Sequence, residues 1–135
     1  MAAVTSRTES DTIAAGRDLA GTLEPGTTVL LYGDLGAGKT AFVRGLAEGL
    51  GLDPEQVSSP TFTIVQEYRG NVTLQHVDLY RLNPTEVADL ALEDLQDGRT
   101  ILAIEWPEHL ARLPMPPLVE VRIAHAENGR RITIG

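Results

Sequence analysis

The apolar and polar positions along the chain form two kinds of pattern that alternate in its first half. Continuous apolar runs at 27–32 and 100–105 predict strands that are buried on both faces of a sheet. The stretches 8–23 and 39–50 repeat apolar residues at helical spacing and predict amphipathic helices. Alternating helices and strands are typical of an α/β fold.

Shorter patterns complete this prediction. Residues 61–68 and 72–78 predict an antiparallel pair of strands around 69–71, and residues 2–6 predict an edge strand. Residues 85–95 predict a short helix and 107–113 a helical turn. The stretches 118–124 and 130–134 flank Glu127-Asn128-Gly129, which predicts a C-terminal β-hairpin. We therefore expect an α/β fold with a mixed sheet and a closing hairpin.

Length and composition narrow the class of protein. The chain has 135 residues, of which 42% are apolar and 22% charged, so we expect one domain over 1–135. It has no cysteine, which excludes disulfides, thiolate zinc sites and cysteine nucleophiles. We expect a cytoplasmic protein, because no run reaches the roughly 20 apolar residues of a membrane helix and no apolar signal segment follows the N-terminus.

The charge balance disfavours one class of partner. Lys and Arg number 11 against 19 Asp and Glu, for a net charge of −8. Nucleic-acid binding depends on cations that neutralise phosphates, so direct contact with DNA or RNA is not expected. An anionic ligand needs a local site that overrides this overall field.

Residues 33–40, GDLGAGKT, match the phosphate-binding pattern G-x-x-x-x-G-K-[ST] at every fixed position. Glycines let the backbone wrap a phosphate, and the loop N–H groups point at the anion. Lys39 is expected to reach the β- and γ-phosphates, and the Thr40 hydroxyl to ligate Mg²⁺. The competing interpretation is an ordinary glycine-rich turn, but a strand before the loop and a helix after it favour the phosphate site. The expected nucleotide-binding residues are Asp34, Leu35, Gly36, Ala37, Gly38, Lys39, Thr40 and Ala41.

Two acids are candidates to complete the site. Asp78 ends the run LQHVD and Glu105 ends TILAIE. Ligands in α/β sheets bind beyond the carboxyl ends of strands, and an acid after an apolar strand commonly holds Mg²⁺ there. The alternative for each is a strand-end acid that faces solvent. Thr61, after a polar loop, either places a hydroxyl near the metal or simply begins a strand.

Four further residues stay open at this point. His76 lies on the same strand face as Asp78, where a lone histidine is more often structural. Trp106, the only tryptophan, is either a packing anchor or part of a binding surface. Arg44 and Arg81 are either charge stabilisers or ordinary surface arginines.

The segments GDLGAGKT, SPTFTIV, HVDLYRL and IEWPE, in this order, resemble those of the TsaE (YjeE) family of small bacterial P-loop ATPases. The resemblance covers nearly the whole chain and implies a cytoplasmic protein with a P-loop sheet flanked by helices, which binds ATP and Mg²⁺. It matches Lys39 and Thr40 to the phosphate and Mg²⁺ residues and Asp78 to an aspartate needed for hydrolysis. It also matches Glu105 to a Mg²⁺ contact and Thr61 to a switch-like threonine. Ala41 replaces a second threonine found in many relatives.

The resemblance also implies partners. The family acts with TsaB and the threonylcarbamoyl transferase TsaD, and its ATP hydrolysis supports modification of adenosine 37 in tRNAs that read ANN codons. We therefore expect an ATPase that is weak without its partners and is a monomer, with the RNA bound by a partner. Two alternatives remain, a small-molecule P-loop kinase and a nucleotide-gated binding module without turnover. The chain shows no arginine-rich lid, which disfavours a kinase. It also lacks the N-K-x-D sequence that reads guanine in small GTPases, which disfavours GTP as the nucleotide.

Overall fold

The computed structural model describes residues 2–34, 36–57 and 64–135. Within these ranges the strands form one mixed sheet and the α-helices pack on its faces. The strands are β1 (Ala2–Ser6), β2 (Thr28–Tyr32), β3 (Val65–Tyr68), β4 (Leu74–Asp78), β5 (Ile101–Glu105), β6 (Leu118–Ala126) and β7 (Gly129–Ile134). The helices are α1 (Glu9–Ala20), α2 (Lys39–Gly49) and α3 (Pro84–Asp89). None of the helices described has the length and apolar character needed to cross a membrane.

The sheet has the strand order β1-β7-β6-β2-β5-β4-β3. Its centre is parallel, since β2 pairs in parallel with β5 and β6, and β4 pairs in parallel with β5. Both edges are antiparallel, through β3–β4 on one side and through β6–β7 and β7–β1 on the other. The predicted mixed α/β sheet, the edge strand and the C-terminal hairpin are confirmed.

The central strands are buried on both faces, as their continuous apolar runs predict. In β2, Val29 and Leu31 face the cluster that α1 and α2 cover, whereas Leu30 faces the cluster beneath α3. Successive side chains of a strand point to opposite faces, so each strand contributes to both clusters. The strand ends that carry chemistry are therefore fixed from both sides.

Helix α2 lies against α1 through glycines. A Cβ atom on Gly16 would overlap the Phe42 carbonyl oxygen, and one on Gly45 would overlap the Ile13 carbonyl oxygen. The two backbones thus approach more closely than any side chain would allow. This contact fixes the position of α2, which follows the glycine-rich loop.

Capping contacts mark the start of α1 and the end of α2. The Thr8 hydroxyl accepts a hydrogen bond from the Asp11 N–H at 3.1 Å, at the start of α1. At the end of α2, Gly51 has a φ of 81°, and the Leu52 N–H donates to the Ala47 carbonyl oxygen at 2.8 Å. That pair of features is the Schellman arrangement, in which a left-handed glycine lets the chain turn back on the last helical carbonyls.

The predicted helix over 85–95 is wrong in its extent. Helix α3 ends at Asp89, and a separate 3-10 turn follows at Leu92–Leu95. Ala91 adopts a left-handed conformation with a φ of 50°, which breaks the helix between them. The helical turn predicted at 107–113 is also shorter, and extends only over Pro107–His109.

Candidate active site

The glycine-rich loop joins the buried strand β2 to the start of α2. Gly36 and Gly38 have φ values of 75° and 111°, in the left-handed region that favours glycine. The Ala37 N–H donates to the Asp34 carbonyl oxygen at 3.0 Å, which closes a turn within the loop. Helix α2 begins at Lys39, so its free N–H groups lie at the end of this loop. The arrangement presents backbone donors for an anion.

Lys39 is the only lysine in the chain and is held inside this site. Its side chain donates from Nζ to the Gly33 carbonyl oxygen at 2.6 Å, and only 5% of the residue is exposed. Burial lowers the pKa of Lys39, while the nearby Glu105 and Asp78 carboxylates act in the opposite direction. The site therefore contains one buried cation with carboxylates close enough to influence it.

The two predicted acids lie side by side. Asp78 and Glu105 are partners in the parallel register of β4 and β5, at the carboxyl ends of both strands. Asp78 accepts a hydrogen bond from the Tyr80 N–H at 2.9 Å. Burial raises the pKa of Asp78, against the lowering effects of that N–H and of Lys39. The structure thus brings together the acids that the sequence places 27 positions apart.

His76 belongs to this group of side chains. It is fully buried, and its Nε2 lies 2.5 Å from the Glu105 Oε2. Its Nδ1 has no hydrogen-bond partner among the described residues. The sequence left His76 open, with a structural role as the commoner case, whereas the structure shows that it fixes one oxygen of Glu105.

Trp106 connects the site to the surface around it. Its ring centroid lies 3.7 Å from Lys39 Nζ, a cation–π distance, and 4.9 Å from the ring of Tyr80. Its backbone is left-handed, with a φ of 61°, an uncommon conformation for a residue with a large side chain. Trp106 also packs against the apolar cluster beneath α3. Trp106 therefore packs against the core and lies over Lys39, which supports the packing alternative.

The other predicted residues lie in the first turns of α2 or outside the described part of the chain. Thr40 and Ala41 lie in the first turn of α2, with Thr40 half-buried and Ala41 buried. Leu35 and Thr61 lie outside the described residues. Arg44 donates to the Val57 carbonyl oxygen at 3.0 Å and pairs with Glu9, so its contacts are structural.

The residue types at this site fit Mg²⁺. The Thr40 hydroxyl and the strand-end carboxylates are hard oxygen donors, which this ion prefers. Within the described ranges, no three His, Cys, Asp or Glu side chains form a metal-binding group. Mg²⁺ in nucleotide sites uses only one or two carboxylates, with phosphates and water as the other ligands.

Comparison with known proteins agrees with this fold and sequence pattern. The family model described as threonylcarbamoyl adenosine biosynthesis protein TsaE matches residues 6–132. A crystal structure of Bacillus subtilis YdiB is similar, with a TM-score of 0.75 and 31% identity, over 98% of this chain and 83% of that one.

Curated relatives give the same result, and each is named tRNA threonylcarbamoyladenosine biosynthesis protein TsaE. A protein of Synechocystis is 55% identical over 73% of this chain and 66% of its own length. One of Treponema pallidum is 41% identical over 96% of both chains. The buried strands, the glycine-rich loop and these matches together establish that the chain belongs to the TsaE family.

Proposed function

We propose that this protein binds and hydrolyses ATP with Mg²⁺ and acts with TsaB and TsaD in the threonylcarbamoylation of adenosine 37 in tRNAs that read ANN codons. The observation that carries the proposal is the position of Lys39, at the end of a phosphate-binding loop and beside two strand-end carboxylates. The names of the relatives support the pathway.

Binding of the triphosphate follows from the loop. The N–H groups of the loop and of the first turn of α2 point at the β- and γ-phosphates. Lys39 releases the Gly33 carbonyl oxygen and donates to phosphate oxygens instead. Asp34, Leu35, Gly36, Ala37, Gly38, Thr40, Ala41 and Thr61 are the other proposed nucleotide contacts.

Hydrolysis is an in-line attack of water on the γ-phosphorus, which breaks the bond to the bridging oxygen and releases ADP and phosphate. Asp78 orients the attacking water, and its raised pKa makes it a better proton acceptor than an exposed aspartate. Thr40 and Glu105 hold Mg²⁺, with Glu105 fixed by His76. When bound, Mg²⁺ neutralises charge that develops on the phosphate oxygens. Lys39 stabilises the same charge.

The acidic surface fits an indirect role in tRNA chemistry. A net charge of −8 opposes direct contact with RNA, so the tRNA is bound by the partner complex. In this account the protein is a cytoplasmic monomer of one domain, and hydrolysis is weak until the partners bind.

The test is ATP hydrolysis measured with and without the TsaB–TsaD pair. Wild type should hydrolyse ATP faster with the pair present, and Asp78→Ala should bind ATP but hydrolyse none. Asp18→Ala removes an exposed carboxylate from α1 and serves as the matched control.

Three outcomes would contradict the proposal. Normal turnover by Asp78→Ala would remove Asp78 from the mechanism. Transfer of phosphate from ATP to a member of a metabolite panel would indicate a kinase. Association with the pair that depends on nucleotide but yields no phosphate release would indicate a binding module.

A further inference from the structure

Arg130, the second residue of β7, reaches back from the C-terminal hairpin to the glycine-rich loop. Its Nε donates to the Ala37 carbonyl oxygen at 3.1 Å, and its Nη2 to the Gly36 carbonyl oxygen at 3.2 Å. Its Nη1 donates to the Gly129 carbonyl oxygen at 3.0 Å, which ties the guanidinium to its own strand. One planar group thus holds two consecutive carbonyls of a loop that lies more than 90 positions earlier in the chain.

These two hydrogen bonds determine the direction of backbone donors. In a trans peptide the C=O of one residue and the N–H of the next point in opposite directions. When Arg130 holds the Ala37 carbonyl, the Gly38 N–H is directed away from the guanidinium. When it holds the Gly36 carbonyl, the Ala37 N–H is directed toward the Asp34 carbonyl, to which it donates at 3.0 Å. Glycines on both sides of Ala37 leave this backbone freer than most to rotate, so an external restraint has a large effect.

The hairpin is itself held firmly enough to act as the restraint. A Cβ atom on Gly129 would overlap the Ser6 carbonyl oxygen, so the hairpin lies directly against the end of β1. The Ser6 hydroxyl lies 2.6 Å from the Thr12 hydroxyl, which joins β1 to α1. Hairpin, α1 and loop enclose a cleft of about 220 Å³ that Arg130 lines.

We infer that Arg130 is a positioning residue for the nucleotide, which acts by holding the Gly36 and Ala37 carbonyls, so that the loop keeps its internal turn and presents the Gly38 N–H to phosphate. This inference rests on the proposed ATP binding. It means that nucleotide affinity depends on the C-terminal hairpin as well as on the loop sequence.

The neighbouring residue provides a matched control. Arg131 is exposed and carries the same charge on the same strand, one position from Arg130. Arg131→Gln therefore changes the net charge as Arg130→Gln does, without touching the loop. Arg130→Lys keeps the charge but loses the planar fork that holds two carbonyls at once.

Two measurements test the inference, ATP affinity by calorimetry and exchange of the Ala37 amide hydrogen in the protein without nucleotide. Arg130→Gln and Arg130→Lys should each raise the dissociation constant by about tenfold or more and speed Ala37 exchange, whereas Arg131→Gln should change neither by more than about twofold. Thermal unfolding without nucleotide identifies any variant that has lost its fold. If Arg130→Gln does so, Arg130→Lys carries the test.

The outcomes are separable. Wild-type affinity in both Arg130 variants would overturn the positioning role, because neither the charge nor the fork would then be needed. Wild-type affinity in Arg130→Lys alone would also overturn it, because charge would then be sufficient. Weaker binding with unchanged Ala37 exchange would also overturn it, since the guanidinium would then contact the nucleotide itself. If wild type and Lys39→Ala both fail to bind ATP, the proposed function fails instead.

Discussion

Asp78 and Glu105 are register partners at the ends of two parallel strands, yet their carboxylates are held in different ways. Glu105 is 4% exposed and has His76 at 2.5 Å from one oxygen. Asp78 is only half-buried and accepts a backbone N–H from Tyr80. Glu105 is therefore held more rigidly than Asp78, which suits the proposed roles of Glu105 as a metal ligand and of Asp78 as the group that orients water.

The raised pKa of Asp78 predicts how stability depends on pH. Burial raises this pKa in the folded state, so the ionised carboxylate destabilises the fold above that pKa. Asp78→Asn keeps an acceptor for the Tyr80 N–H and should unfold at a higher temperature than wild type at pH 7. This difference in unfolding temperature should shrink as the pH falls through the pKa of Asp78 in the folded protein toward the usual aspartate value of about 4. At that pH the Asp78 side chain of wild type is neutral, as the amide is.

Thermal unfolding of both proteins between pH 4 and 8, without nucleotide, measures this difference. Asp18→Asn on the exposed side of α1 is the control and should follow wild type. An Asp78→Asn variant that is less stable than wild type at pH 7 would show that ionisation of Asp78 favours the fold.

The contact of His76 with Glu105 predicts an energetic coupling. His76→Leu leaves the buried Glu105 oxygen without its partner. In the wild-type protein this substitution should lower the free energy of unfolding by roughly 1–3 kcal/mol more than it does in a Glu105→Gln variant. Urea unfolding of the two single variants and the double variant gives the coupling energy.

His125→Leu on the exposed part of β6 is the control for loss of a histidine elsewhere. Strictly additive effects of His76→Leu and Glu105→Gln would mean that the 2.5 Å contact contributes nothing to the fold.

The close approach of α1 and α2 predicts that glycine is required at their contact. Gly45→Ala places a methyl group against the Ile13 carbonyl oxygen. It should lower the free energy of unfolding by roughly 1–3 kcal/mol, the usual range for overpacking. Because α2 carries Lys39, ATP affinity should fall as well. Gly21→Ala, whose Cβ would lie 3.5 Å from its nearest neighbour, should be close to neutral. Equal stability of the two variants by urea unfolding would contradict the packing observed.

The position of Trp106 predicts an optical signal. It is the only tryptophan, and Lys39 Nζ lies 3.7 Å from its ring centroid. Binding of ATP should draw the ammonium away from the ring and change the emission of Trp106. The change should saturate with ATP in wild type and be absent in Lys39→Ala. A saturating change of equal size in Lys39→Ala would mean that the signal has another origin.

The sequence was sufficient for most of the fold, because local patterns decided it. Apolar runs marked the strands buried on both faces, and the apolar repeat over 39–50 marked α2. The helix predicted over 85–95 failed because Ala91 adopts a left-handed conformation that alanine rarely takes, and no local pattern indicates it.

The candidate site was predictable only in part. The loop and the strand-end acids are local features, and the topology brings them to one edge of the sheet. The roles of His76 and Arg130 depend on contacts between distant strands and on the register, which one sequence does not contain. The only sign of Arg130 was its place in the chain's one adjacent basic pair, Arg130-Arg131, and only the structure separates these two residues.

The most direct test of the account is the dissociation constant for ATP in the presence of Mg²⁺, measured by calorimetry for wild type and for Lys39→Ala. Arg131→Ala, which changes the net charge by the same amount, is the control. The account predicts that wild type and Arg131→Ala bind alike and that Lys39→Ala binds at least about tenfold more weakly. Equal affinity in all three proteins would contradict it.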